Sequence, residues 1–329
     1  MCTGFSYLFK SNTNLLGRTM DFAFGLQGKQ TVVQRGYEFD SMTGYNEKLD
    51  YGFLGTGVLM DRALFADGVN EHGLSISVHY FTKEATYSEE SIPNKINITA
   101  EEVILWVLGF NKGIEDLKRN ATNVNIVDYK NQIIDKVVPL HFIVTDPSGQ
   151  TIVIEPTNGN LVIKDNPLHV LTNNPNLDWH MRNVKSYCAF SPMHPKKGSL
   201  GEAFDYDLGN GAGTHGLPGG YTAAERFVKV AYLTHNMENT EDDNVNLANT
   251  FKILETMSVP RGAVLEQDTG EYHFTQYVAV MDTTNRAFYF KPYFSSEITA
   301  VKLTEELLNK DEPTTFEPVD DFKFHMMND

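Results

Sequence analysis

Cys2 is the residue of this sequence whose type and position could do chemistry most directly, because it follows Met1. Removal of Met1 would leave a first residue that carries a thiol and a free α-amine on the same carbon. An ordinary α-amine titrates near ~7.7–8.0 and a free thiol near ~8.5, so one residue can offer a nucleophile and its base at neutral pH. The position predicts a nucleophilic centre, and the alternative is a cysteine that merely follows the start methionine.

The residues after Cys2 predict a β-hairpin that would place this centre at the start of a sheet. Strand-forming residues cover 4–9 and 15–20, and a polar turn at 11–14 separates them. Period-two patterns and turn residues predict further strands. These lie at residues 31–34, 57–60 and 74–81, in a four-stranded meander over 140–173, and at 277–282 and 287–291.

Helices are predicted in separate runs. The pairs Thr99–Glu102 and Thr222–Glu225 match the capping box that opens a helix, and a third helix is expected before Pro260. Strands and helices in separate runs predict an α+β fold of antiparallel sheets with helices packed outside. Because the sequence has no repeat and no Pro/Ser-rich linker, we expect one domain over residues 1–329.

Composition excludes several classes of function. The net charge of −16 opposes binding to nucleic acid or to anionic membranes, and no stretch approaches the roughly 20 apolar residues of a membrane span. The N-terminus lacks the pattern of a signal peptide, so a cytoplasmic location is expected. Two cysteines, Cys2 and Cys188, and ten scattered histidines without an HExxH motif predict neither a disulfide framework nor a metal site. The glycine-rich run at 209–220 lacks a following GK[ST], which argues against a nucleotide site.

The opening MCTGFSYLFKSNTNLLGRTMDF resembles the start of the choloylglycine hydrolase family, which contains bile salt hydrolases and penicillin V acylases. Later segments are similar to successive landmarks of the same family: FADGVNEHGLSIS, ITAEEVILWVLG, IVIEP, VLTNNPNLDWH, LGNGAGTHGLPGGYTAAERFVKVAY and FTQYVAVMD. The resemblance implies the N-terminal-nucleophile hydrolase fold, a four-layer αββα sandwich of two antiparallel sheets. It also implies hydrolysis of a linear carboxamide through a cysteinyl thioester, no cofactor, and a homotetramer.

The resemblance carries the family's catalytic set onto Cys2, Arg18, Asp21, Tyr80, Asn173 and Arg226. Arg18 would hold a cation near the sulfur, and Asp21 would bond the α-amine. The Asn173 amide and the Tyr80 backbone N–H would bind the oxyanion, and Arg226 would complete the polar lining.

Each of these residues also has an ordinary structural interpretation. Arg18 and Asp21 could be a surface ion pair, Asn173 a turn residue, Tyr80 a half-buried strand aromatic, and Arg226 a solvated helix charge. Three residues apart on one strand, Arg18 and Asp21 would point to opposite faces. A strand ending or bulge near Met20 is therefore expected to bring both toward Cys2.

Tyr80 bears on the substrate. Bile salt hydrolases of the family usually carry Asn at this position and its penicillin V acylases carry Tyr, so the resemblance favours an aryl-acyl pocket and penicillin V acylase-like activity. Candidate pocket residues are Met20, Phe24, Phe65, Tyr80 and Leu140. The alternative is a conjugated bile salt hydrolase, and a more remote one is a non-enzymatic β-rich binding protein.

Overall fold

Two large antiparallel sheets form the centre of the molecule. The computed structural model describes residues 1–23, 25, 27–60, 62–130, 136–193, 209–267 and 269–328. The first sheet contains β1 (Cys2–Leu8), β2 (Asn14–Phe22), β14 (Val170–Leu171), β15 (Val264–Leu265), β16 (Tyr272–Asp282), β17 (Ala287–Pro292) and β18 (Thr299–Lys302). Its order is β14-β1-β2-β16-β17-β18, with β15 paired to β16. The nucleophile candidate therefore begins an inner strand of this sheet.

The second sheet covers the inner face of the first. It contains β3 (Lys29–Val33), β6 (Phe53–Leu59), β7 (Ala63–Asn70), β8 (Ser75–Tyr80), β11 (Leu140–Thr145), β12 (Thr151–Thr157), β13 (Asn160–Asp165) and β19 (Thr314–Phe316). The order is β13-β12-β11-β8-β7-β6-β3-β19. Two small ladders pair β4 (Glu38–Asp40) with β5 (Asn46–Lys48), and β9 (Ile96–Ile98) with β10 (Val124–Ile126).

Helices cover the outer faces of both sheets. They are α1 (Val103–Phe110), α2 (Ile114–Asn120), α3 (Leu177–Asn183), α4 (Ala223–Asn236), α5 (Asp243–Met257) and α6 (Glu305–Leu308), and short 3₁₀ turns lie at Ala100–Glu102, Ala121–Asn123, Val184–Tyr187 and Ala212–Thr214. Helix α1 packs on β7 and β8, whereas α4 and α5 pack on β1, β2 and β16. The resulting order of layers is helix, sheet, sheet, helix, so the predicted α+β fold and four-layer sandwich are confirmed.

The predicted caps start the helices at the expected places. Thr99 and Glu102 form the capping box before α1, with the Thr99 N–H donating to Glu102 at 2.8 Å. The Thr222 hydroxyl accepts from the Glu225 N–H at 3.3 Å at the start of α4. Such bonds satisfy N–H groups that have no partner inside the first turn. They fix where α4 begins, and therefore where Arg226 lies in its first turn.

Candidate active site

Cys2 lies at the N-terminal end of β1 with its side chain between the two sheets. It pairs with Met20 of β2, and only 4% of its surface is exposed. Gly4, on the same face of β1, is needed for this close approach, because a Cβ there would lie 2.9 Å from His79 Nε2 of the second sheet. The Cys2 Sγ lies 3.3 Å from Arg18 Nη2 and 3.9 Å from Met20 Sδ. The thiol is thus held against a guanidinium inside the sandwich.

Arg18 is fully buried and carries its charge to the sulfur from β2. Its Nη1 donates to Asp67 at 2.7 Å and to the Tyr277 hydroxyl at 2.9 Å, and its Nη2 also donates to the Val78 carbonyl at 3.0 Å. Burial by itself lowers the pKa of Arg18, but interactions with Tyr277, Cys2 and Asp67 outweigh it and raise that pKa above its ordinary value. The group beside the thiol is therefore a permanent cation, and its ion-pair partner is Asp67 rather than Asp21.

Asn173 and Arg226 form a connected network on the backbone of Cys2. The Cys2 N–H donates to Asn173 Oδ1 at 2.9 Å, and Arg226 Nη2 donates to the same oxygen at 2.7 Å. Arg226 Nη1 donates to the Cys2 carbonyl and, at 2.6 Å, to the Thr3 hydroxyl. Arg226 is only 2% exposed, and burial lowers its pKa against the favourable influence of Asp21 and Cys2. Arg226 therefore holds the start of β1 through buried hydrogen bonds. The interpretation of Arg226 as a solvated helix charge is wrong.

The main chain of Tyr80 faces the same network. Its carbonyl accepts from Asn173 Nδ2 at 2.9 Å. The next residue, Phe81, donates its N–H to Pro139 on the β11 side, so by alternation the N–H and C=O of Tyr80 point away from β11. The Tyr80 N–H and C=O therefore point to the same edge of β8, the edge that Asn173 Nδ2 contacts.

Asp21 differs from the expectation in its geometry. Strand β2 is continuous to Phe22, and the only irregularity in its pairing lies in the opposite strand β16, between Thr275 and Tyr277. An irregularity near Met20 is therefore present, but it lies in β16 and does not turn the Asp21 carboxylate toward Cys2. The Asp21 carboxylate lies on the helix-facing side, where it accepts from the hydroxyls of Thr275 at 2.6 Å and Thr19 at 3.1 Å.

Asp21 meets the N-terminus through its backbone. The Met1 ammonium donates to the Asp21 carbonyl at 2.7 Å, and the Asp21 N–H donates to the Met1 carbonyl at 3.0 Å. Met1 therefore extends β1 by one residue opposite Asp21. A bond from the Asp21 carboxylate to the α-amine of a trimmed chain stays a prediction.

Three buried histidines stand behind the site. His180 Nε2 donates to the Asn173 carbonyl at 2.9 Å, and His141 Nε2 donates to the neighbouring Thr172 carbonyl at 3.2 Å. The His79 ring lies 6.0 Å from that of His141. Burial lowers the pKa of His141 to about 3, lowers that of His180, and together with the charge of Arg18 lowers that of His79 well below the usual range. Each of these shifts favours the neutral imidazole, and the rings of His141 and His180 serve as hydrogen-bonding supports.

The predicted pocket residues fall into two groups. Met20 lies in the same core as Cys2, whereas Phe65 and Leu140 pack with Tyr80 in the core between the second sheet and α1. Phe24 lies outside the described residues. The sequence interpretation missed Phe22, whose ring lies 5.7 Å from that of Tyr80. Alternation along β2 could have found it, because residues 18, 20 and 22 share one face.

The sequence interpretation also missed residues that bind the candidate catalytic residues. Asp67 and Tyr277 bind Arg18, and His180 binds Asn173. Asp67 and Tyr277 lie inside segments that carry the family resemblance, FADGVNEHG and FTQYVAVMD, and this was the available signal. Among the described residues no helix is long and apolar enough to span a membrane, and no group of three or more His, Cys, Asp or Glu could hold a metal ion.

Known proteins match this architecture over its whole length. A family model described as linear amide C–N hydrolases, choloylglycine hydrolase family, matches residues 2–316. A bile salt hydrolase/transferase from Clostridium perfringens is 32% identical over 96% of both chains. A crystal structure of a mutant conjugated bile acid hydrolase from the same organism is similar with a TM-score of 0.92 and 30% identity, and the match covers 100% of both chains.

A penicillin V acylase is a more distant relative. The protein from Pectobacterium atrosepticum is 24% identical over 92% of this chain and 81% of its own. The relatives thus favour the alternative, a conjugated bile salt hydrolase, over the penicillin V interpretation. The predicted enzyme class is confirmed, and a non-enzymatic binding protein is not supported. The chain belongs to the choloylglycine hydrolase family and is a linear amide C–N hydrolase.

Proposed function

We propose that this enzyme hydrolyses the amide bond of conjugated bile salts and uses Cys2 as its nucleophile after Met1 is removed. The observation that carries the substrate class is the full-length similarity to bile salt hydrolases, 32% identity over 96% of both chains against 24% for the penicillin V acylase. The catalytic roles of Cys2, Arg18, Asp21, Tyr80, Asn173 and Arg226 belong to this proposal.

Removal of Met1 would turn the Cys2 nitrogen into the base that the reaction needs. That nitrogen lies 2.9 Å from Asn173 Oδ1, and the sulfur on the same residue lies 3.3 Å from Arg18 Nη2. The amide oxygen would accept from the amine and orient it, and the guanidinium would stabilise the thiolate. With Met1 attached, the nitrogen is part of a peptide bond and cannot take a proton.

The proposed cycle uses the groups of Cys2 and one water molecule, and it needs no cofactor. The amine accepts the thiol proton, and Sγ attacks the carbonyl carbon of the substrate amide. The tetrahedral intermediate collapses as the protonated amine passes its proton to the leaving nitrogen, which releases glycine or taurine and leaves a thioester on Cys2. The same amine deprotonates a water, which attacks the thioester and releases the bile acid with the thiol restored.

Two N–H groups suit the developing oxyanion. Asn173 uses one Nδ2 hydrogen on the Tyr80 carbonyl at 2.9 Å, which leaves the second for the substrate oxygen. The Tyr80 N–H points to the same side as that carbonyl. Losing one such donor typically costs about 2.7–4 kcal/mol of transition-state stabilisation.

Penicillin V is the second candidate substrate, because one feature of the site favours it. The rings of Phe22 and Tyr80 meet edge to face at 5.7 Å beside the proposed oxyanion donors. An aryl-acyl group could pack on this pair with a gain of about 0.5–1.5 kcal/mol beyond area burial. Such a gain changes relative rates about tenfold at most, so both activities in one enzyme are compatible with the site.

The test compares substrates on trimmed protein whose intact mass confirms the loss of Met1. We expect release of glycine or taurine from conjugated bile salts with a higher kcat/KM than release of phenoxyacetate from penicillin V. Cys2→Ala should abolish both activities, whereas Cys188→Ala, which removes an exposed thiol, should leave both unchanged. Tyr80→Asn should lower the relative rate on penicillin V. Turnover of penicillin V alone would overturn the proposed substrate class, and full activity of Cys2→Ala would overturn the mechanism.

A further inference from the structure

Arg18 contacts two groups at once, the Cys2 sulfur and the Asp67 carboxylate. Its Nη2 contacts the Cys2 sulfur at 3.3 Å, while its Nη1 donates to Asp67 at 2.7 Å, and both members of this ion pair are 0% exposed. Asp67 is fixed from its other side by the Thr56 N–H at 3.1 Å. A thiolate at Cys2 therefore competes with a fixed carboxylate for the same guanidinium.

Tyr277 is hydrogen-bonded to both members of the Arg18–Asp67 ion pair. Its hydroxyl donates to Asp67 Oδ2 at 2.7 Å and accepts from Arg18 Nη1 at 2.9 Å. Burial, and then the neighbouring Asp67, raise the pKa of Tyr277 well above its ordinary value, so the phenol keeps its proton. The proton of the phenol reduces the pull of Asp67 on the guanidinium, and the oxygen lone pair gives Nη1 an acceptor that carries no charge.

We propose that Asp67 and Tyr277 are positioning residues that divide the charge of Arg18 between a structural carboxylate and the Cys2 sulfur. The Cys2 sulfur is hydrogen-bonded to Arg18 and Met20 and to neither of these side chains, so each acts through Arg18. The inference rests on the proposed role of Cys2 as nucleophile, because only a reactive sulfur gives this division a consequence for rate.

The two residues should have opposite effects on the thiol. Asp67→Asn keeps the shape of the side chain but removes the competing anion, so the charge of Arg18 is more available to a thiolate. Tyr277→Phe removes the hydrogen bond from the phenol to Asp67, which reduces the attraction of this carboxylate for Arg18. Without that bond the carboxylate should hold Arg18 more tightly, so a thiolate at Cys2 is less favoured. Opposite charges within about 4–6 Å shift such equilibria by about 1–3 pH units, and redistribution of one charge should give about 0.5–1 unit.

The experiment measures the pH midpoint of Cys2 alkylation by iodoacetamide, with peptide mass spectrometry as the readout. Wild type is compared with Asp67→Asn, Tyr277→Phe and the matched control Tyr289→Phe, which makes the same change on β17 of the same sheet. The chain has only two cysteines, so the exposed Cys188 is an internal reference in every sample. Peptide mass also separates chains that keep Met1 from trimmed chains. The ultraviolet absorbance of the thiolate, minus that of the same protein with Cys2→Ala, gives the midpoint without depending on the access of a reagent to the sulfur.

We expect the midpoint to fall in Asp67→Asn, to rise in Tyr277→Phe, and to stay in place for Tyr289→Phe and for Cys188. Midpoints that do not move, or that move in the same direction in both variants, would overturn the proposal and leave Asp67 and Tyr277 a merely structural role. If the buried charge left by Asp67→Asn prevents folding, Tyr277→Phe still decides, because a purely structural hydroxyl would lower stability without raising the midpoint. The readout needs no turnover, so it stands whether or not conjugated bile salts are cleaved.

Discussion

Replacing Asn173 by aspartate separates the catalytic role of this residue from its structural role. Asn173 Oδ1 accepts from the Cys2 N–H at 2.9 Å and from Arg226 Nη2 at 2.7 Å, and Nδ2 donates to the Tyr80 carbonyl at 2.9 Å. Aspartate has the same shape and keeps both acceptor contacts, the second as an ion pair with Arg226. It loses the Nδ2 amide group, and with it the hydrogen bond to Tyr80 and the proposed hydrogen bond to a substrate oxyanion.

The expected effect on the rate follows from that lost donor. One oxyanion donor is worth about 2.7–4 kcal/mol, which corresponds to a fall of roughly 10²–10³ in kcat. A carboxylate beside the oxyanion and beside the protonated α-amine should deepen the loss, since it repels the first and makes the second a weaker acid. The loss of one buried hydrogen bond costs about 1 kcal/mol of stability, and the new ion pair offsets part of it. KM should change by only a few fold.

The assay measures release of glycine from a conjugated bile salt by trimmed Asn173→Asp, with the midpoint of urea unfolding measured on the same preparation. The matched control is Asn174→Asp, the same change at the exposed neighbouring residue. We expect the control to retain the rate of the wild type. A kcat within tenfold of wild type in correctly folded Asn173→Asp would refute the assignment of Asn173 as an oxyanion donor.

Three further predictions follow from the supports and from the charge. His180→Phe should lower the free energy of unfolding by about 1–3 kcal/mol, because it leaves the buried Asn173 carbonyl without its donor. His180→Gln should lower that free energy by less. Equal decreases for the two variants in denaturant unfolding would contradict this prediction. The pKa of His141 is about 3 in the folded protein, so its contribution to stability is complete above about pH 6.5 and is lost as the pH falls toward 3. The free energy of unfolding should fall between pH 7 and pH 5 by about 2 kcal/mol more in wild type than in His141→Gln. An identical pH dependence of the two proteins would refute this prediction. The net charge of −16 should make kcat/KM for an anionic substrate rise between about 20 and 200 mM salt while that for a neutral amide stays flat, and a steep fall would contradict this.

Much of the fold could be predicted because its strands and helices carry local patterns. The opening hairpin, the meander from β11 to β14 and the pair of β16 and β17 are confirmed, and so are the helices after Thr99 and Thr222. Strand β7 was not predicted, because Asp67, Gly68 and Asn70 are residues typical of turns. They are buried in a strand because Arg18 and backbone groups supply their partners. The single domain, the homotetramer and the cytoplasmic location stay predictions.

Local patterns were misleading where a charge is buried. The apolar stripe of α4 leaves Arg226 at its edge, which is typical of a solvated residue. The structure buries it because the first turn of α4 lies over the start of β1, where the Cys2 carbonyl, Thr3 and Asn173 accept from its guanidinium. Hydrogen bonds across 224, 223 and 53 residues of chain leave no periodic signature in the sequence. Only the family resemblance indicated this residue.

Arg18 shows what could still have been inferred. A buried guanidinium is stable only with an acceptor of opposite charge, since removing one partner of a buried pair costs about 3–5 kcal/mol. Any sequence interpretation that places Arg18 beside a buried cysteine therefore also requires a buried carboxylate. Asp21 cannot supply it, because residues 18 and 21 of one continuous strand face opposite sides. The required acid must then come from another strand, and Asp67, 49 residues away, meets that need from the facing sheet. The same reasoning explains why Arg18 and Asp67 should tolerate joint replacement by apolar residues better than the loss of either one, at the cost of the reactive thiol.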